Sequence, residues 1–194
     1  MNTPTLKTER LILRRFERTD MDGLFLILKD EDANRFLPWY PAGSIEETIG
    51  FYERRYASVY TRPGGYAYAI CLKEDNFPIG YIKVDMEEGH DLGYGLRREY
   101  WNRGIATEAA KAVIDRVKKD GMPYITATHD RNNPGSGRVM QKAGMKYRYS
   151  YEEQWQPKDI PVIFRMYQLN FGTRSDFVYK KYWDLSENHF IEKL

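Results

Sequence analysis

The chain has 194 residues, 42% hydrophobic and 30% charged, with a formal net charge of +2. That is apolar material for one buried core and a single main domain, and a balanced charge without a basic block gives no reason to expect nucleic acid as a partner. The single cysteine, Cys71 in YAYAICL, excludes an intrachain disulfide framework and reads as a small core side chain in a reducing compartment. No signal peptide opens the sequence and no apolar run approaches the ~20 residues needed to span a bilayer, so the reading is a cytoplasmic protein with no membrane partner.

Residues 8–16 alternate Leu11 and Leu13 with polar neighbours, which predicts a strand. Thr19, with Asp22 three residues on, predicts a capped helix over 20–29. The segment DANRFLPWYPAGS follows as an aromatic-rich loop. Ser44 and Glu47 form a capping box for a helix over about 45–60, whose Ile45, Ile49, Tyr52, Tyr56 and Val59 recur at helical spacing. Three antiparallel strands are predicted at 66–72, 78–86 and 90–97, with turns at Glu74-Asp75-Asn76 and Glu87-Glu88-Gly89.

Residues 98–109, REYWNRGIATEA, lead a small-residue turn into a helix with an apolar stripe of Ile105, Ala109, Val113 and Val117. Such a turn leaves unpaired N–H groups at the positive end of the helix, an anion site suited to phosphate. Gly121 and Pro123 end the helix, and YITATHD (124–130) reads as a central strand beside the one that feeds the turn. Asn133 can cap a further helix, with Pro134 in its first turn and its end near Gly144. Residues 146–156 and 160–170 read as an antiparallel pair around Pro157-Lys158-Asp159. The order is β-α-α-β-β-β-α-β-α-β-β, an α+β domain with a largely antiparallel mixed sheet.

Three motifs carry a family resemblance. Trp101-Asn102-Arg103-Gly104-Ile105-Ala106 resembles the pyrophosphate loop of the GCN5-related N-acetyltransferases, Gln or Arg, two variable residues, Gly, one variable residue, then Gly or Ala. Trp101 departs from its first position, as in the branch of ribosomal-protein N-acetyltransferases. Asp91-Leu92-Gly93-Tyr94-Gly95-Leu96 resembles the family's Glu-Ile-Gly-Tyr strand. Asn133-Pro134-Gly135-Ser136 and Val139-Met140-Gln141-Lys142-Ala143-Gly144-Met145 resemble that branch's Asn-x-x-Ser and Val-Leu-x-Lys-x-Gly-Phe. The resemblance runs from about residue 8 to 170. It implies the acyl-CoA N-acyltransferase fold: a mixed, largely antiparallel sheet with helices on both faces and a splayed central strand pair.

The resemblance also implies chemistry and a site. Acetyl-CoA would be the cosubstrate and a primary amine the acceptor, from a small molecule, an aminoglycoside-like compound or a protein N-terminus. The amides of Asn102, Arg103, Gly104, Ile105, Ala106 and Thr107 would bind pyrophosphate. The backbone at Leu96 and Arg98 would bind the pantetheine arm, and an N–H near Leu92 or Gly93 would face the thioester oxygen. Asn133 would contact the pantetheine and the Ser136 hydroxyl would reach the thiolate, although Asn133 also reads as a plain helix cap. Asp91 stands where relatives often have Glu and is the first candidate base, with a strand-end structural role as the alternative. His129, with an ordinary pKa of ~6.5, is the other candidate, although strand-end histidines are more often solvated. Three scattered histidines and one cysteine have no metal-ligand spacing, so no metal is expected.

The acceptor is expected between the 34–45 loop and the hairpin around 157, where Phe36, Trp39, Tyr40, Tyr151 and Trp155 would form an aromatic wall. Glu152 and Glu153 alternate faces, so one of them would point inward. Residues 171–194 are read as an extension carrying a short amphipathic helix at roughly 175–184, packed on the domain or on a second subunit as a homodimer. Two other functions are less consistent with these residues. A non-catalytic acyl-CoA sensor is disfavoured by the intact Asn133 and Ser136, and a nucleotide-binding P-loop by the absence of Lys-Ser or Lys-Thr after the glycine.

Overall fold

A computed structural model describes residues 2–172 and 176–194. One antiparallel sheet has the order β1-β2-β3-β4-β5, formed by Leu6–Lys7, Leu11–Arg14, Tyr66–Leu72, Pro78–Val84 and Leu92–Leu96. The other has the order β6-β8-β7-β9, formed by Tyr124–Asp130, Ile160–Asn170, Lys146–Trp155 and His189–Phe190. Among the described residues a single parallel bridge, Asp91 to Thr126, joins β5 to β6, and the Thr126 N–H donates to the His90 carbonyl at 3.3 Å. Beyond it the two strands part. This is the splayed central pair that the resemblance implies.

Helices cover both faces of this frame. On one face α5 (Ile105–Lys119) and α6 (Pro134–Lys142) bury Ile105, Ala109, Val113, Val117 and Met140 against β3–β6. On the other, α1 (Met21–Leu28) and α3 (Ile45–Tyr52), with the short α2 (Glu31–Asn34) between them in the chain, bury Leu24, Ile27 and Tyr52 against Ala67, Ala69, Cys71 and Tyr81. Burial pushes the Cys71 thiol up to about 12, so it is an inert core group. The predicted helix over 45–60 continues from α3 through a π-helical turn, Glu53–Ala57, into a last turn, α4 (Ser58–Tyr60). Ser44 caps α3 by accepting from the Glu47 N–H at 3.2 Å, while Glu47 reaches one residue further out, to the Gly43 N–H at 2.8 Å.

Three local expectations change. Thr19 is not a cap. A 3-10 turn at Arg18–Asp20 leads into α1, and the Asp20 carboxylate accepts from the Glu17 N–H at 2.7 Å because Arg14 holds it there in a bidentate pair. The strand expected over 8–16 is confined to Leu11–Arg14. The helix expected at 175–184 falls partly outside the described residues; what is seen is α7, Lys181–Leu185.

The C-terminal segment lies against β7. There β9 pairs with it through Ser150–Phe190 and Tyr151–His189, and Trp183 packs edge-on to Tyr149.

Candidate active site

The site is built outward from the end of β5. A 3-10 turn, Arg98–Tyr100, leads to Asn102 (φ 59°) and Gly104 (φ 75°), both in the left-handed region, before α5 begins. Glycine enters that region without a Cβ penalty, and Asn tolerates it better than most residues. No backbone carbonyl among the described residues accepts from the N–H groups of Asn102, Arg103 or Gly104. The first intrahelical bond, Glu108 N–H to the Gly104 carbonyl, leaves those of Ile105, Ala106 and Thr107 open as well. The departure at Trp101 has a local reason, since its indole N–H donates to the Leu96 carbonyl at 2.9 Å and ties the turn to the strand end. Arg10 braces the far side, bonded to Glu108 and to the Arg103 carbonyl.

Backbone alternation decides which groups face the gap. Asp91 and Arg97 bond to β4, so by the period of two the peptide groups of Gly93 and Gly95 also face β4. Those of Leu92, Tyr94 and Leu96 turn toward β6. Of the two amides expected near the thioester oxygen, Leu92's lies on the β6 side at the bridge and Gly93's does not. The Leu96 carbonyl already accepts from Trp101, and the Arg98 N–H faces the Asp30 carboxylate at 3.3 Å.

Across the gap, Asn133 caps α6, its side chain accepting from the Ser136 N–H at 3.3 Å, with Pro134 in the first turn. Tyr94 reaches over from β5: its hydroxyl donates to the Ser136 carbonyl at 2.8 Å and lies 3.0 Å from the Ser136 Oγ. The motif reading did not single out Tyr94, although its alternation with Leu92 and Leu96 places it on the face toward α5 and α6. His129 is not solvated. It is 4% exposed, its Nδ1 sits 2.8 Å from the Asp130 carbonyl, and burial first of all holds its pKa below the usual value. It packs beneath α6 on Gly137, where a Cβ would lie 2.6 Å from its Nε2.

Asp91 sits at the apex, half-buried, with the Thr126 hydroxyl 3.4 Å away. Burial pushes its carboxyl up to about 7, against the pull of Lys83. The Tyr182 phenol, from the C-terminal segment, is pushed up by burial and then by the charge of Asp91. Tyr182 stacks on Tyr151 with ring centroids 5.1 Å apart and planes 11° from parallel. In the sequence Tyr182 is one apolar residue of the tail, with no local signal for this contact.

The five expected acceptor aromatics do not form one wall. Trp39 belongs to the α1–α3 face, edge-on to Phe51, with its indole N–H donating to Asn34 Oδ1 at 2.9 Å. Tyr40 is 63% exposed and Phe36 lies beside Arg35. Tyr151 and Trp155 instead share a cluster with Phe164. The two regions do meet, because the Lys158 ammonium at the hairpin tip donates to the Asn34 and Arg35 carbonyls at 3.1 and 3.2 Å. Glu153 is on the strand face of Tyr151 and Trp155, whereas Glu152 accepts from the Asn188 side chain at 2.8 Å. Among the described residues there is no cluster of three or more His, Cys, Asp or Glu able to hold a metal ion, and no helix is long and apolar enough to cross a membrane.

Residues 10–146 match the model of the acetyltransferase (GNAT) domain. The chain is 29% identical over 147 residues to the uncharacterized N-acetyltransferase YnaD of Bacillus subtilis, covering 73% of this chain and 82% of that protein. Its fold is similar to an acetyltransferase of the GNAT family from Bacillus anthracis, with TM-score 0.74, 24% identity and coverage of 86% and 98% of the two chains. It is equally similar in fold to RimL, a ribosomal L7/L12 α-N-protein acetyltransferase in complex with coenzyme A, with TM-score 0.74, 19% identity and coverage of 87% and 98%. The chain belongs to the GNAT family and is an N-acetyltransferase.

Proposed function

We propose that the protein transfers the acetyl group of acetyl-CoA directly to a primary amine, carried by a small molecule or a peptide N-terminus. One observation carries this reading: a single gap between β5 and β6 has an anion-ready loop at its wide end and a half-buried carboxylate at its apex, with the Tyr94–Ser136 contact across it. The loop amides from Asn102 to Thr107 hold the pyrophosphate by aligned N–H dipoles. Tyr94, Leu96, Arg98 and Asn133 border the path of the pantetheine arm.

The amine nitrogen attacks the thioester carbon, a C–N bond forms, and the C–S bond breaks as the sulfur leaves. Asp91, at the apex, accepts the proton that the amine loses. A carboxyl whose pKa lies near neutrality suits that task, being both deprotonated and basic at the working pH. The Ser136 hydroxyl stabilises the departing thiolate by donating to it, and Tyr94, donating its one proton to the Ser136 carbonyl, holds the turn that carries that hydroxyl. His129, buried beneath α6, serves to position that helix rather than as the base. Tyr151 and Trp155 line the acceptor side, with Phe36, Trp39 and Tyr40 on the loop that Lys158 holds against the hairpin.

Free-thiol release from acetyl-CoA tests the reading against amines, peptide N-termini and aminoglycosides. Turnover is expected with one of these classes, reduced by Asp91→Asn and by Ser136→Ala while acetyl-CoA binding persists. Binding of acetyl-CoA without release for any acceptor would overturn it.

A further inference from the structure

The apex of the gap is covered by a part of the chain that lies past residue 146, where the match to the family model stops. Residues 179–192 run as a strap along β7. The Tyr149 and Ser186 hydroxyls donate to the Tyr179 and Glu152 carbonyls, each at 2.8 Å, β9 pairs with Ser150 and Tyr151, and Glu192 closes the strap on Arg165. This strap touches the β4–β5 turn at Gly89. The Tyr182 hydroxyl lies 3.1 Å, and Tyr179 Cε1 3.4 Å, from the point where a Cβ on Gly89 would sit. The Gly89 carbonyl accepts from the Thr126 hydroxyl at 2.8 Å, and the same hydroxyl lies 3.4 Å from Asp91 Oδ1. Tyr182 is fixed between Tyr151, on which it stacks, and Tyr179, edge-on to it with centroids 5.4 Å apart. Three rings thus roof the turn that leads into Asp91.

Charges alone do not set the state of that carboxyl. Lys83 and Asp85 act on it from β4 with opposite signs, and they pair with each other at 3.8 Å. Glu87 and Glu88 stand exposed on the turn, and the His90 ring lies against Tyr124, with centroids 5.3 Å apart. The other groups that act on Asp91 or feel its charge are Thr126 from β6, Tyr151 from β7, Tyr94 from its own strand, and Tyr179 and Tyr182 from the strap. None of these five carries a charge at neutral pH. Ring faces exclude water without giving the carboxylate a donor in return, which favours its protonated form. We infer that Tyr182 is a positioning residue for the reaction: it seals the apex of the gap and keeps bulk water off the strap side of the Asp91 carboxyl. The inference rests on the amine-transfer reading for the role of Asp91 as base, and the seal itself stands on the packing of the strap. It gives the C-terminal segment a part in the site that its place outside the family match does not suggest.

The test follows the Asp91 carboxyl by carbon NMR titration of the full chain with no acceptor present, its resonance assigned by its loss in Asp91→Asn. The pH profile of kcat/KM is measured beside it, with an amine that releases thiol from acetyl-CoA. Tyr182→Ala is expected to lower the titration midpoint by about one pH unit or more as water reaches the carboxyl. The plateau of kcat/KM should fall by about three- to tenfold as the base weakens. Tyr182→Phe keeps the ring on Tyr151 and should restore the parent midpoint. Tyr182→Leu, which keeps an apolar group on Tyr151 but falls short of Gly89, is the second variant should Tyr182→Ala not fold, and is expected to show part of the shift. An unmoved midpoint in the folded variant would overturn the inference, even with thermal stability lowered, and so would a midpoint that falls as far in Tyr182→Phe as in Tyr182→Ala. The expected shift in a chain that releases no thiol would uphold the seal and count instead against amine transfer.

Discussion

The Tyr94 hydroxyl, on β5, lies 2.8 Å from the carbonyl oxygen and 3.0 Å from the Oγ of Ser136 in the first turn of α6. It ties the two sides of the splay together where no backbone ladder does. Burial raises the phenol's pKa, so Tyr94 stays protonated at neutral pH and remains a donor.

Tyr94→Phe should therefore lower kcat by about tenfold, the scale of one hydrogen bond of roughly 1–1.5 kcal/mol, while acetyl-CoA binding changes little. Combined with Ser136→Ala the losses should be well short of additive, because both substitutions remove one linked contact. Fully additive losses in a double-mutant cycle would show that the two side chains act independently.

The raised pKa of Asp91 makes a prediction for rate. With Asp91 as base, kcat/KM should climb about tenfold per pH unit below neutrality and level off above about 7. Asp91→Asn should remove that limb and cost on the order of 10²-fold or more. A pH–rate profile unchanged in shape by the substitution would assign the proton to another group.

The same group predicts a stability trend. Its native pKa of about 7 lies above the ordinary 3.8, so between these values the native state holds a proton the unfolded chain has released. Its contribution is fully present below the lower value and is lost as pH rises through the upper one. Asp91→Asn should flatten this slope and be more stable than the parent at about pH 8, by up to a few kcal/mol. Urea titrations at several pH values would measure it.

Gly137→Ala should cost about 1–3 kcal/mol, because the new Cβ would sit 2.6 Å from His129 Nε2 and 2.9 Å from its Cε1. The ring has little freedom to withdraw, held through Nδ1 to the Asp130 carbonyl. Adding His129→Ala should recover part of the loss in thermal unfolding, which a purely helix-propensity effect would not allow.

Gly104→Ala separates folding from binding. At φ 75° a Cβ costs roughly 1–2 kcal/mol, yet the nearest atom it would meet, on Arg10, is 3.6 Å away. The chain should stay folded with a modest loss of thermal stability. Acetyl-CoA affinity should fall by about tenfold or more, read by calorimetry, because loop amides shifted out of line no longer converge on one anion.

Much of the fold was legible in the chain because its signals are local. The strand-forming runs at 66–72 and 124–130, the Ser44 cap, the stripe from Ile105 to Val117 and the Asn133-Pro134 start of α6 each act over a few residues, and the structure has each of them. The cap assigned to Thr19 failed because Arg14, six positions back on β2, holds the Asp20 carboxylate on the Glu17 N–H instead.

The sequence by itself determined the order of the main elements, the small-residue turn at Gly104 and the presence of Asp91, Asn133 and Ser136, since period, turn chemistry and motif spacing are properties of neighbouring residues. Only the tertiary structure decided what those residues face. It split the expected aromatic wall into two clusters, buried His129 under Gly137, aimed Tyr94 at Ser136 and stacked Tyr182 of the C-terminal segment on Tyr151. Such pairings depend on strand register and on the single bridge at Asp91–Thr126, where long-range packing, not local propensity, sets the outcome.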